Sequence, residues 1–125
     1  SPLVRQGTAD LLFAFDRDEA YRTLAFLKKG GLCFVSSPKE DFWAPGIKGY
    51  LEKNRIRAYS FPADQVALAL GAPRSANLAL IGYALSVPDV PFAYEDVRGT
   101  IVWISPPRFR DVNLQVFDTG YRGEK

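Results

Sequence analysis

The sequence predicts an α/β protein, a mainly parallel sheet in a three-layer α/β/α arrangement. Three observations predict it. Two short apolar runs, Asp10-Leu11-Leu12-Phe13-Ala14-Phe15 and Leu32-Cys33-Phe34-Val35, read as buried strands. The residues between them carry a helical pattern, which makes a β-α-β unit with parallel pairing and a right-handed crossover. Residues 56–60 alternate enough to form a third strand beside these two.

Taken in order, the first strand covers 10–15 and the first helix 17–29. Asp16 is a candidate N-cap, and Asp18 and Glu19 sit in the first turn, where acids suit the helix dipole. Ala20, Leu24 and Leu27 repeat at helical spacing with Tyr21 beside them. Lys28 and Lys29 fill the last turn, and Gly30-Gly31 reads as the helix stop. Ser36, Ser37, two prolines and Gly46 mark residues 36–46 as a loop at a strand's carboxyl end. Ile47 to Asn54 makes a short helix with Tyr50 and Leu51 facing inward. Pro62-Ala63-Asp64 opens another, Gln65 to Leu70, which Gly71 and Pro73 end. Ser75 caps a helix from Ala76 to Val87. Between residues 65 and 88 only Arg74 is charged, so this helix is apolar on most sides and buried on most sides. With only three strands in view, that surface is expected to pack against a second copy or another polypeptide. Thr100 to Ile104 has strand propensity, whereas Tyr94-Glu95-Asp96 looks like a helix start. Phe109 to Phe117 fits an amphipathic helix ended by Gly120.

The 125 residues suit one domain, and a composition 47% hydrophobic, 24% charged and 14% aromatic is that of a globular protein. A net charge of +2 with no basic stripe argues against a nucleic-acid binder. The absence of histidine excludes a Ser-His-Asp triad, a Cys-His dyad and histidine-based metal motifs within this sequence. A single cysteine, Cys33, allows neither an intrachain disulfide nor an iron–sulfur cluster held by this sequence alone. Inside a strand and without a basic neighbour, Cys33 reads as an inert buried thiol. No run reaches the roughly 18 apolar residues of a membrane span, and no signal peptide opens the sequence, so a cytoplasmic address is expected. The lack of methionine fits a sequence that begins within a longer protein.

No catalytic or metal-ligating residue is singled out. Ser36 and Ser37 are the first candidate ligand contacts, because parallel sheets gather ligands beyond the carboxyl ends of their strands. Arg74 and Asn77, flanking Ser75 at the start of the apolar helix, are the second, as an anion site. Each has a plainer reading, a turn for the serines and a capping cluster for the arginine. Arg108, Arg110 and Arg122 read as a solvated face.

The order of motifs resembles the gamma domain of the 2-oxoacid:ferredoxin oxidoreductases. Ala9-Asp10-Leu11-Leu12, then Glu19-Ala20 with Arg22, then Leu27-Lys28-Lys29-Gly30-Gly31 carry the first part of the likeness. Ala67 to Gly71, Arg74, Ala76-Asn77-Leu78 and Ile81-Gly82 carry the second. Pro106-Pro107-Arg108-Phe109, Val112-Asn113-Leu114, Phe117 and Gly120-Tyr121 look like the closing segment of the indolepyruvate-type beta subunit. Family domains begin with a glycine-rich strand–turn–helix and an Arg-Gly-Gly segment that do not precede Ser1 here. The resemblance therefore covers roughly the second two-thirds of the domain, with residues 1–125 as one partial domain. It implies a helical C-terminal third, with 93–104 a helix. It also implies a thiamine diphosphate-dependent complex, with iron–sulfur clusters, coenzyme A and ferredoxin, that converts a 2-oxoacid to an acyl-CoA. The thiamine and cluster sites would lie on other subunits or domains. This sequence would supply architecture and, through Ser36, Ser37, Arg74 or Asn77, a contact to coenzyme A. The competing reading is a free-standing α/β ligand-binding or protein-interaction module without redox function.

Overall fold

A computed structural model describes residues 5–124. Its elements are β1 (Ala9–Ala14), α1 (Arg17–Thr23), a 3-10 turn (Leu24–Phe26), β2 (Leu27–Ser36), α2 (Pro45–Lys53) and β3 (Arg57–Phe61). Then come α3 (Ala63–Ala69), a second 3-10 turn (Pro73–Ser75), α4 (Ala76–Leu85), α5 (Tyr94–Ile104) and α6 (Pro107–Arg122). They fall into two units, one ending at Phe61 and one starting at Pro62.

The first unit is a parallel sheet in the order β1-β2-β3, as the apolar runs predict. Phe13 stands opposite Phe34, and Phe34 opposite Tyr59. Their rings stack across one face of the sheet with centroids 5.4 Å apart at each step. On the other face Ala14, Cys33 and Val35 pack with Ala20, Leu24 and Leu51 from α1, its following turn and α2. Each large aliphatic side chain buried there contributes about 1.5–3 kcal/mol.

The first helix is shorter than its sequence pattern. Asp16 caps it as expected, its carboxylate accepting from the Glu19 N–H at 2.7 Å. α1 nevertheless stops at Thr23, and by Leu27 the chain already pairs with Ala9 in the sheet. Lys28 and Lys29 are therefore strand residues, and Gly30-Gly31 is not a helix stop. Between the pairs Ala9–Leu27 and Leu11–Leu32, two steps on β1 match five on β2, so β2 bulges. Gly30 takes the positive φ of 80° that the bulge requires, and its N–H donates to the Asn54 carbonyl at 2.9 Å. Burial of Leu27 and its place in the ladder outweigh the local helical signal.

Pro45 occupies the first turn of α2, two residues earlier than the pattern predicts. The helix closes with the Ile56 N–H on the Leu51 carbonyl and the Arg55 N–H on the Glu52 carbonyl. Arg55 holds the left-handed position that glycine usually fills, with φ 54°.

The second unit is helical. α3 begins at Ala63 rather than Gln65, and Gly71 ends it as expected. α4 ends at Leu85, short of Val87, and no side chain caps its start: the Ser75 hydroxyl donates instead to Asn113 Oδ1 at 2.7 Å. Much of the apolar surface of α4 is covered within the unit itself, while Leu68 of α3 stays 68% exposed. Ala76, Ala79, Leu80, Gly82 and Ala84 are buried, and α4 lies along α6 and α3. Residues 94–104 form a helix despite their strand propensity. α6 runs through Gly120, which does not end it, and stops at Gly123 with φ 69°.

Candidate functional site

The first unit carries a cleft at the carboxyl ends of β1 and β2, where the sheet rule looks for ligands. Ser37 lines this shallow cleft of about 300 Å³ with Asp16, Arg17, Asp18, Lys39 and Phe42. The Ser37 N–H donates to the Phe61 carbonyl at 3.1 Å, and its hydroxyl accepts from the Lys39 N–H at 3.1 Å. Ser36 is buried within the strand ladder and is not among the lining residues. The two neighbouring serines thus part: alternation along β2 sends one inward, and the chain's exit leaves the other in the cleft. Asp16 is already engaged as the α1 cap, while Arg17 and Lys39 bring cations to the rim. Sequence reasoning missed those two cations; the signal was a basic residue three positions beyond the end of each strand.

In the second unit the structure does bring Arg74 and Asn77 together. They line one side of a cleft of about 270 Å³ with Leu78, Ile104, Ser105 and Pro106. Arg74 also lines an adjoining, more apolar cleft of about 350 Å³ with Pro73, Phe109 and Val112. Among the described residues Arg74 is the only charged one in either lining. Between the clefts runs a polar chain that the sequence did not reveal. Ser75 Oγ donates to Asn113 Oδ1 at 2.7 Å, and Asn113 Nδ2 donates to the buried Ser105 Oγ at 3.0 Å. Arg110 is not merely solvated: its Nε donates to the Val102 carbonyl at 2.9 Å and its Nη2 to the Ser105 carbonyl at 3.4 Å. It satisfies carbonyls at the end of α5 that the helix itself leaves open. Arg122 pairs with Glu124, and the Arg108 guanidinium lies over the Phe109 ring at 4.7 Å.

A third polar cluster joins α5 to α6. Asp118 accepts from the Tyr94 hydroxyl at 2.6 Å and from Arg98 Nη2 at 3.0 Å. Burial pushes the Asp118 carboxyl up, but hydrogen bonds from Arg98 and Tyr94 and the Arg98 charge outweigh it and hold it below the usual carboxylate range. The hydrogen bond to Asp118 raises the Tyr94 phenol, with burial adding to the rise. The three side chains are engaged with one another across α5 and α6, so the cluster reads as a clasp between the helices rather than an acid–base pair.

Cys33 is fully buried, and burial pushes its thiol up to about 12. Among the described residues no group of three or more His, Cys, Asp or Glu could hold a metal ion. No described helix is long and apolar enough to cross a membrane.

Residues 1–123 match the family described as pyruvate ferredoxin/flavodoxin oxidoreductase. A similar curated protein is the indolepyruvate oxidoreductase subunit IorB of Pyrococcus horikoshii, 30% identical over 98% of this chain and 67% of its own length. The gamma subunit of a keto/oxoacid ferredoxin oxidoreductase from Geobacter sulfurreducens shares the fold, with a TM-score of 0.74 at 21% identity, over 94% of this chain and 64% of that one. So does the 2-oxoglutarate:ferredoxin oxidoreductase of Magnetococcus marinus, solved with 2-oxoglutarate, coenzyme A and succinyl-CoA bound. Its TM-score is 0.66 at 21% identity, over 94% of this chain and 20% of that one. The chain thus spans about two-thirds of the subunits it resembles and a fifth of the larger chain.

Proposed function

Because the chain belongs to the pyruvate ferredoxin/flavodoxin oxidoreductase family, we propose that it is the gamma-type part of a cytoplasmic 2-oxoacid:ferredoxin oxidoreductase complex acting on an arylpyruvate such as indolepyruvate. The 2-oxoacid loses carbon dioxide, two electrons pass to ferredoxin, and the acyl group passes to the thiol of coenzyme A. The likeness to the indolepyruvate subunit over nearly the whole chain carries this reading.

The residues present divide the labour. One buried thiol without histidine is no donor set for an iron–sulfur cluster, so clusters would lie on other domains or subunits, as would thiamine diphosphate, which supplies the decarboxylation chemistry. Coenzyme A is a better match. Ser37 lines the cleft at the carboxyl ends of the parallel strands with Arg17 and Lys39, and, with Asp16 engaged as the α1 cap, the two cations face only Asp18 as a competing acid for a phosphate. Ser36 is too buried to join it. Arg74 and Asn77 form a separate anion-facing group.

Purification from the native host tests the reading. The chain is expected to co-purify with a larger subunit showing iron–sulfur absorption, and the complex to reduce ferredoxin with indolepyruvate only when coenzyme A is present. Ser37→Ala is expected to raise the KM for coenzyme A and leave the KM for the 2-oxoacid unchanged. A chain that purifies alone, without associated clusters or 2-oxoacid turnover, overturns the assignment.

A further inference from the structure

Besides the separately exposed Leu68 of α3 and Phe92, three large apolar side chains of the second unit stand in solvent where the end of α5 passes into the start of α6. Trp103 is 83% exposed, Ile104 61% and Phe109 45%. Isolated exposed apolar residues need no explanation, but a tryptophan beside two other large side chains is the composition of a binding hot spot. The corner is also braced. Pro106 and Pro107 fix the turn, Arg110 ties it to the α5 carbonyls, and Asn113 links Ser105 to Ser75. A partner meeting this surface finds it already ordered, which lowers the entropic cost of association.

The rim decides the chemistry of the partner. Arg74 lines both clefts, with Ile104 in one and Phe109 in the other, and among the described residues no acidic one lines either. Arg108 stands over Phe109. Neither Arg74 nor Arg108 forms an ion pair among the described residues. An apolar centre with an unneutralised cationic rim complements an apolar anchor flanked by carboxylates. Two copies of this surface facing each other would set arginine against arginine.

We propose that the α5–α6 corner docks an acidic segment of a partner protein. One large apolar side chain of that segment enters the cleft between Pro73, Phe109 and Val112, and its carboxylates meet Arg74 and Arg108. Trp103, exposed on α5 one position before Ile104, borders this contact from outside the clefts.

The test places a photo-crosslinking benzoylphenylalanine at position 103 of the full chain, expressed in its native host, and maps the crosslinked peptide by mass spectrometry. The expected product joins position 103 to a segment of a different protein with at least two Asp or Glu residues within a few positions of an apolar one. A synthetic peptide of that segment should bind the purified chain and change the emission of Trp103, the other tryptophan, Trp43, being buried. Arg74→Glu and Arg108→Glu are each expected to weaken the peptide at least tenfold at low salt and to flatten its salt dependence, while Lys53→Glu on α2 does neither. Retained helical circular dichroism in each variant keeps a folding defect from counting. No crosslink, a crosslink to a second copy, to lipid or to nucleic acid, or arginine reversals without effect overturn the proposal. An acidic partner unrelated to 2-oxoacid oxidation supports it and counts only against the function proposed above.

Discussion

Gly120 of α6 lies with its backbone directly against that of Ala79 in α4. A Cβ added at Gly120 would stand 2.8 Å from the Ala79 carbonyl carbon and closer still to its oxygen. The contact is reciprocal, because a Cβ at Gly82 of α4 would stand 3.0 Å from the Tyr121 nitrogen and closer to the Phe117 carbonyl oxygen. The two helices approach so nearly that neither position has room for a methyl group.

Gly120→Ala and Gly82→Ala should therefore destabilise the helical unit by about 3 kcal/mol, the upper end for overpacking, since backbone rather than a flexible side chain must move. Gly99→Ala, in the interior of α5 with nothing within 4 Å of an added Cβ, should stabilise by about 0.5–1 kcal/mol. Urea titration of the helical circular dichroism separates the two directions.

The clasp of Tyr94, Arg98 and Asp118 makes stability depend on pH at both ends. The Asp118 carboxyl is held below its ordinary value, so its contribution is present above the unfolded pKa of about 4 and lost as pH falls through the folded value. The Tyr94 phenol is raised, so its contribution is present below about 10 and lost as pH rises through the folded value. Asp118→Asn should flatten the acid limb of a Tm-against-pH curve and cost about 1 kcal/mol at neutral pH, the pair being partly exposed.

Arg55→Gly should stabilise the first unit by about 0.5–1 kcal/mol. The left-handed conformation costs a non-glycine residue about 1–2 kcal/mol, and part of the gain is offset by the greater freedom of glycine in the unfolded chain. Thermal unfolding of the purified variant measures it.

Cys33 should resist a thiol reagent at pH 8 in the native protein and react fully in denaturant. Burial at the centre of β2 and a thiol at about 12 leave almost no thiolate. Ellman's reagent with and without guanidinium checks this, and rapid native reaction would contradict the packing.

The parallel sheet was legible because Leu11 to Ala14 and Leu32 to Val35 are apolar runs that only a buried strand explains. The end of α1 was not, since Lys28, Lys29 and two glycines imitate a helix terminus, and only the pairing of Leu27 with Ala9 reveals the strand. Gly120 misled for a related reason. A glycine is a stop in local terms and a close-contact residue in tertiary terms, and the sequence does not carry the position of Ala79. At the sites, the sheet rule found Ser37 but could not separate it from buried Ser36. The α5–α6 corner stayed hidden because Trp103 and Ile104 look like core residues in a string of letters and are exposed in the fold.

The bulge in β2 sets where the chain can change length. Between the Leu27 and Leu32 pairings the ladder is slack, so a residue gained or lost at 28–31 alters the size of a loop-like detour. The same indel between Cys33 and Ser36 would exchange the inward and outward faces of the strand, carrying Val35 out of the core. Gene-length variation among natural relatives, and insertion tags in the laboratory, should accordingly be tolerated around Gly30 and rejected three residues later.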